Sequence, residues 1–423
     1  MAQDKLTKSE KSWILYDVGN SAYMMLACSL IPIWFKELAV GTAPGQISSD
    51  HATAYFSIAL SIVTVVVAIL GPICGALADH KDTKKLFFTS SVALGVISCI
   101  LNGFALTWII FLVMCVLSRI CFNVSLTFYD SMLNDVTSED RMDVVSSYGY
   151  AWGYVGSCVP FIVAMIAYIL GGGLSDDLMV ISPMAARIIG FAVTGVWWAA
   201  ASVPLIKNYR QTNYVELQRG AIAEVFRRIG RTCKKIATQD RKVFYFLLAF
   251  FLYIDGVGTI IDNCINIGTD LGLPTVGQVV FLLATQFVAF GGSVVFARLS
   301  KRYDTVTLIG ACIVGYFCIC LYALTLDTLL DFGILAFGVG CFQGSIQSLS
   351  RSYYSKIIPP ESSGEYFGIY DIFAKGASFL GSAVIAWVKL AGGTINIAVA
   401  SLALFFALGF FLLRVSSRQE SLR

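Results

Sequence analysis

Long apolar runs separated by short polar links fill most of the chain. Each run approaches the length of about 17–25 residues that an α-helix needs to cross a bilayer. Twelve runs can be traced, at approximately 11–35, 53–78, 84–104, 107–132, 144–170, 186–206, 243–266, 275–298, 305–325, 329–355, 366–388 and 393–414. Because little sequence lies outside them, the pattern predicts an all-α membrane protein with twelve transmembrane helices.

The longest polar link, residues 207–242, separates six runs from six. Within it, segment 215–236 places apolar residues at helical spacing among basic ones, which is typical of an amphipathic helix on a membrane surface. A solvated linker is the alternative interpretation. We therefore expect an N-terminal six-helix bundle (1–206), a cytoplasmic basic linker (207–242) and a C-terminal six-helix bundle (243–423).

The two halves repeat the same order of polar features. An Asp-Thr pair follows the second run of each half, at Asp82 and Asp304. A glutamate follows the fourth run of each half, at Glu139 and Glu361. These two glutamates are separated by the same number of residues as Asp82 and Asp304. Such duplication is typical of secondary transporters, whose binding sites lie at the interface of the repeats near the middle of the membrane.

Each half also places a carboxylate inside its first apolar run. Asp17 precedes Ser21 by four residues, and Asp255 precedes Thr259 by four, so each pair shares one helix face. A charge at the centre of a membrane helix costs about 2.5–3.5 kcal/mol on insertion scales. We therefore expect these carboxylates to face a cavity or a partner.

The fourth and tenth runs carry further polar stripes. Arg119, Asn123 and Asp130 fall on one narrow stripe of a helix, as do Gln343 and Gln347. Arg119 is interpreted as the partner of a solute carboxylate, and a structural ion pair is the alternative; the glutamines fit helix contacts or solute contacts equally. The candidate substrate or coupling residues are Asp17, Asn20, Ser21, Arg119, Asn123, Asp255, Thr259, Gln343 and Gln347.

Composition and charge support this interpretation. The chain is 57% hydrophobic and only 13% charged, whereas soluble domains carry about 25% charged residues. Basic residues concentrate in the links of one side, which by the positive-inside rule makes both termini cytoplasmic. The sequence contains no CxxC, GxSxG, HExxH or GxxxxGK[ST] motif. We therefore expect no enzymatic activity, no cofactor or metal, and no nucleic-acid partner.

The link after the second run, GALADHKDTKK at 75–85, resembles the signature of the major facilitator superfamily. Gly75, Asp79, Lys84 and Lys85 match it, and Asp82 stands where the family usually has glycine. The resemblance implies that the aspartate ends a helix and pairs across the two halves to hold one gate closed. We expect the lysines to anchor at the lipid headgroups. The candidate gating residues are Gly75, Asp79, Lys84, Lys85 and Asp130.

A narrower resemblance runs through most of the chain. Its segments are WILYDVGNSAY (13–23), FYDSMLNDV (128–136), SSYGYAWGYVGS (146–157), YIDGVGTI (253–260), LSRSYYSKIIP (349–359) and FGIYDIFAKGASFLG (367–381). Together they resemble the vacuolar effluxers, which are autophagy-related permeases, and their bacterial relatives. This family implies export of amino acids or other small solutes.

The sequence thus predicts two pseudo-symmetric six-helix bundles with the major facilitator fold, as a multi-pass monomer in a bacterial inner membrane. The expected function is secondary transport of a small polar organic solute, with amino acids as the leading class and protons as the candidate coupling ion. Membrane lipids are the other expected partner. An exporter of lipids or drug-like amphiphiles, and a non-transporting receptor with this fold, remain as alternatives.

Overall fold

The computed structural model describes residues 5–42, 45–216, 221–376 and 379–419. The helices of the first half are α1 (Lys8–Cys28), α2 (Leu30–Ala39), α3 (Ser49–Ala78), α4 (Lys84–Asn102), α5 (Trp108–Ser131), α6 (Leu133–Val136), α7 (Met142–Leu170) and α8 (Pro183–Asn208). The linker contributes α9 (Ala221–Thr238). The helices of the second half are α10 (Arg241–Asp262), α11 (Cys264–Asp270), α12 (Thr275–Leu299), α13 (Thr305–Tyr322), α14 (Leu329–Ile357), α15 (Ser363–Gly376), α16 (Phe379–Leu390), α17 (Ile395–Ser401) and α18 (Ala403–Ser417).

Among the described residues, ten helices are long and apolar enough to span a membrane, and the bent pair α1–α2 makes an eleventh. Helices α15 and α16 lie on either side of two undescribed residues and cover the eleventh apolar run of the sequence. The all-α, twelve-span architecture expected from the sequence is confirmed. Side-chain caps fix several helix N-termini, such as the capping boxes of Thr7 with Glu10 and Thr328 with Asp331.

The first span differs from the single run expected at 11–35, because it bends by 40° between α1 and α2. Pro32 lies in the first turn of α2 and has no N–H to donate to the carbonyl of Cys28 four residues earlier. The Ser29 hydroxyl donates to the Met25 carbonyl at 2.5 Å, directly at the break. Both features are recognised causes of a kinked helix.

Each half has its own apolar core. Buried aromatic residues such as Trp13, Tyr23 and Trp198 belong to the first cluster, and Phe246 and Tyr316 belong to the second. Because the cores are separate, the halves are two bundles that meet along an interface. That interface is polar at the end of the molecule where the linker joins the bundles, which we call the linker side.

Candidate functional site

On the linker side, α3 of the first half crosses α15 of the second half at four glycines. A Cβ on Gly75 would lie 2.1 Å from the carbonyl oxygen of Gly364. A Cβ on Gly368 would lie 2.6 Å from the backbone of Gly71. Neither contact can accommodate a side chain, so these glycines allow the close approach of the two backbones.

This crossing delivers Asp79, the residue that ends α3, to the N-terminus of α15. Its two carboxylate oxygens accept from the backbone N–H groups of Gly364 at 2.7 Å and Glu365 at 2.9 Å. Unpaired N–H groups and the helix dipole make such a terminus a favourable site for an anion. Burial raises the pKa of the Asp79 carboxyl to about 6, against the lowering effect of Lys84 and these N–H groups. The two N–H donors and the Lys84 ammonium thus favour the ionised carboxylate, whereas burial opposes it.

The two lysines that match the superfamily signature, Lys84 and Lys85, have different surroundings. Lys84 is fully buried, 3.5 Å from the Asp79 carboxylate, and donates to the Ser363 hydroxyl at 2.9 Å. The expectation that it anchors at the headgroups is wrong, because the glycine crossing encloses it between the halves. Lys85 is exposed, and none of the described contacts between the halves involves it, so the structure does not support its assignment as a gating residue.

The link itself closes tightly without the usual glycine. Asp82 has a φ of 61°, in the left-handed region that glycine, asparagine and aspartate adopt most readily. Thr83 completes the turn, because its hydroxyl donates to the His80 carbonyl at 2.7 Å. An aspartate therefore serves at the position where the superfamily signature has glycine.

The linker helix α9 adds an arginine to this cluster. The Arg228 guanidinium lies 2.6 Å from the Glu365 carboxylate and 3.5 Å from the Asp79 carboxylate. It also donates to the Ser362 hydroxyl at 3.1 Å. Glu365 is fully buried, so α9 supplies a positive charge to a carboxylate enclosed between the halves. In the sequence, Arg228 could be recognised only as one of several basic residues of the linker.

A second cluster bridges the halves around Asp143, in the first turn of α7. Its carboxylate accepts from the Lys356 ammonium and from the Thr305 hydroxyl, both at 2.7 Å, and from the Ser352 hydroxyl. All three donors belong to the second half. The linker side is therefore closed by two separate polar clusters.

On the same helix as Lys356, Arg351 of α14 also reaches across to the first half. Its guanidinium lies 3.0 Å from the Asp130 carboxylate and 3.5 Å from the Asp17 carboxylate. It also donates to the Ser146 hydroxyl at 3.0 Å. Arg351 is only 3% exposed, and it lies fewer than two turns before the end of α14 at Ile357.

Aromatic rings of the first half surround the same guanidinium. Its central carbon lies 4.5 Å from the ring centroid of Trp13, 4.6 Å from that of Tyr150 and 5.3 Å from that of Tyr129. Gly149 makes room for this arrangement, because a Cβ there would lie 2.7 Å from the Asp17 carboxylate. Arg351 is thus enclosed by two carboxylates and three ring faces.

The sequence stripe that joined Asp130 to Arg119 is therefore divided in the structure. Asp130 and Asp17 pair with Arg351, and no ion pair within 4.0 Å joins Arg119 to a described carboxylate. Sequence reasoning missed Arg351, although an arginine inside the tenth apolar run was a signal that could have found it. The reason is its place near the end of the run, where a cation fits the positive-inside rule equally well.

The residues predicted nearer the middle of the membrane have separate surroundings. Arg119 is half-buried beside the Cys28 thiol, which is exposed. The Asn123 amide donates to the Arg119 carbonyl at 2.7 Å.

The polar face of α1 has other neighbours. The Asn20 amide donates to Asp17 at 3.4 Å, and a Cβ on Gly153 would lie 2.7 Å from the Ser21 hydroxyl. One face of α1 therefore contacts both the Arg351 cluster and α7.

In the second half, Asp255 is fully buried in α10. Both of its carboxylate oxygens accept from the backbone N–H of Gly381 at 3.2 Å, and the Thr259 hydroxyl donates at 3.5 Å. Gln343 is buried, and the Gln347 amide donates to its carbonyl at 3.1 Å. Asp17 and Asp255, which matched in the sequence, thus have unlike partners.

Comparisons with known proteins agree with this architecture. The chain matches the model of a family described as "Vacuole effluxer Atg22 like" over residues 7–423. It is 38% identical over 420 residues to YxiO of Bacillus subtilis (strain 168), described as an uncharacterised MFS-type transporter, covering 99% of this chain and 96% of that protein. Autophagy-related protein 22 of Botryotinia fuckeliana (strain B05.10) is 28% identical over 318 residues, 66% of this chain and 51% of that protein.

Two solved structures share the fold. FucP, a major facilitator transporter in its outward conformation, superposes with a TM-score of 0.72 and 14% identity, covering 97% of this chain and 98% of that one. The proton:xylose symporter XylE gives a TM-score of 0.72 and 12% identity, covering 96% of this chain and 94% of that one.

Proposed function

Because the chain belongs to the Atg22-like vacuole effluxer family of major facilitator transporters, we propose that it carries an amino acid across the membrane by alternating access. The observation that carries this proposal is the closed linker side, where charged groups of one half are held by groups of the other. Contacts of this kind break and re-form when two rigid bundles rock against each other. Protons are the proposed coupling ion, with Asp17 and Asp255 as the candidate carriers.

The proposed solute site lies between Arg119 of the first half and the polar residues of α10 and α14 in the second. Arg119 suits a solute carboxylate, because a guanidinium is always charged and offers two parallel N–H donors. Asp255, Thr259, Gln343 and Gln347 would supply acceptors and donors from the opposite side. Lipids or drug-like amphiphiles would instead require a broad apolar cavity.

The Arg119→Lys variant tests the carboxylate contact. Lysine keeps the charge but loses the forked donor pair, so we expect binding of a carboxylate solute to weaken by about 1.4 kcal/mol or more, a tenfold loss. An analogue whose carboxylate is replaced by a neutral amide should bind almost equally to both proteins. The solute is first chosen by thermal shift on purified protein, across amino acids, sugars, nucleosides and lipids.

A matched control is Arg187→Lys, which alters an arginine that donates to the backbone carbonyls of Gly103 and Ala105. We expect that change to affect the acid and the amide to the same extent. Equal losses for both analogues in Arg119→Lys would assign Arg119 a structural role, and the preferred solute class would become sugars or other neutral molecules.

Orientation is tested separately. We propose a bacterial inner-membrane location in which the linker side, both termini and α9 are cytoplasmic. His51 and Gly230 are both exposed. In a background without accessible cysteines, His51→Cys should react with an impermeant thiol reagent in intact cells, and Gly230→Cys should react only after the membrane is opened. The reverse pattern would overturn this topology.

A further inference from the structure

The cluster around Arg351 is divided unequally between the two halves. Within 4.0 Å of Asp17 or Asp130, the only cationic side chain among the described residues is Arg351. Both carboxylates belong to the first half, whereas the arginine belongs to the second. Asp371 of the second half also faces Asp130, and its carboxylate accepts from the Thr127 hydroxyl.

When the halves part on the linker side, the first half therefore keeps two carboxylates and loses their cation. Ionisable groups inside a membrane need a partner, and two neighbouring carboxylates repel each other. A proton or another cation can then take the place of the guanidinium between Asp17 and Asp130.

The ring faces indicate the chemical nature of that replacement. Trp13, Tyr129 and Tyr150 all belong to the first half, so they remain around the position that Arg351 leaves. Ring faces attract organic cations within about 6 Å of the centroid. The Ser146 hydroxyl and carbonyl, which face Arg351 at 3.0 and 3.2 Å, add acceptors for N–H donors.

We propose that Asp17, Asp130, Trp13, Tyr129 and Tyr150 form a binding site for the ammonium group of a solute, and that Arg351 occupies this site while the linker side is closed. The inference rests on the proposed transport function and places the amine at a separate position on the linker side, about three helical turns along α5 from the proposed carboxylate contact at Arg119. Arg351 and the ammonium group compete for one place, so binding of the amine favours the state open on the linker side. Return of Arg351 then displaces the solute.

The test measures opening of the linker side directly. Ser147 is buried between the halves, and its hydroxyl lies 3.2 Å from that of Ser348. In full-length protein lacking accessible cysteines, Ser147→Cys is labelled with an impermeant maleimide in inverted membrane vesicles. Leucine methyl ester, which keeps the ammonium group, should raise the labelling rate about threefold or more. N-acetyl-leucine amide and sodium chloride should leave the rate unchanged.

Variants test whether the rise in labelling caused by the amine depends on the proposed site. Asp130→Asn and Asp17→Asn should abolish it, and Tyr150→Leu, which keeps both carboxylates, should weaken it. The control Asp270→Asn removes the exposed carboxylate that pairs with Lys389 at 2.5 Å and should retain the full response. A rate that follows pH alone, or a response that persists in Asp130→Asn, would overturn the ammonium site.

Failure of the transport function gives a different result. Uptake of leucine into proteoliposomes without an amine response in the labelling assay would refute this site and leave transport standing. An amine response without uptake of any amino acid would support the site and refute the transport of amino acids.

Discussion

Replacing Arg351 by methionine should lower the free energy of unfolding by about 3–5 kcal/mol, because it leaves two buried carboxylates without their cation. The guanidinium is 3% exposed, and the Asp17 and Asp130 side chains are 8% and 15% exposed. Water can therefore do little to solvate the charges that remain. We also expect transport to be lost. The stability change is measured by unfolding the purified protein in mixed detergent micelles.

The matched control removes the whole charged cluster. Arg351→Met combined with Asp17→Asn and Asp130→Asn leaves no uncompensated charge, and replacing a complete buried network is often neutral or stabilising. We therefore expect this triple variant to recover most of the lost stability and still not to transport. If Arg351→Met alone were as stable as the parent protein, the carboxylates would have another partner.

The architecture was predictable because the membrane imposes it on the sequence. Spanning helices need long apolar runs, and a polar link must separate consecutive runs, so the twelve spans were visible without any structure. The bend at Ser29 was less visible, because Pro32 interrupts hydrogen bonding without interrupting the apolar run.

The pairing of charges was harder to predict than their positions. Asp17 and Arg351 are 334 residues apart in the chain, and helix periodicity relates only residues on the same helix. The stripe through Arg119 and Asp130 therefore described one helix face correctly. It could not show that the second half supplies the cation that pairs with Asp130.

The position of Lys84 depended on packing rather than on charge. A lysine in a polar link normally lies at the membrane surface, and its neighbour Lys85 is exposed there. Lys84 is enclosed because Gly75 and Gly364 bring two helices into backbone contact. The resemblance to the superfamily signature gave the pairing of Asp79, which geometry within one helix would not have given.

The linker helix should act as part of the gate, and a double-mutant cycle on Arg228 and Glu365 tests this. Arg228→Gln removes the cation that lies 2.6 Å from a fully buried carboxylate. We expect this change to destabilise the closed linker side, raising the labelling rate of Ser147→Cys and lowering the free energy of unfolding. In the Glu365→Gln background, Arg228→Gln should have a smaller effect, since a neutral amide needs no counter-charge and only the contact of Arg228 with Asp79 is then lost.

The expected coupling energy between the two positions is about 0.5–3 kcal/mol, the range measured for residues in direct contact. The lower part of that range is favoured because Arg228 is 20% exposed and water screens part of its charge. Lys234→Gln serves as the control, since it removes a positive charge from an exposed position of the same helix. Additive effects of Arg228→Gln and Glu365→Gln would separate α9 from the gate and leave Asp79 and Lys84 to close the linker side without the linker.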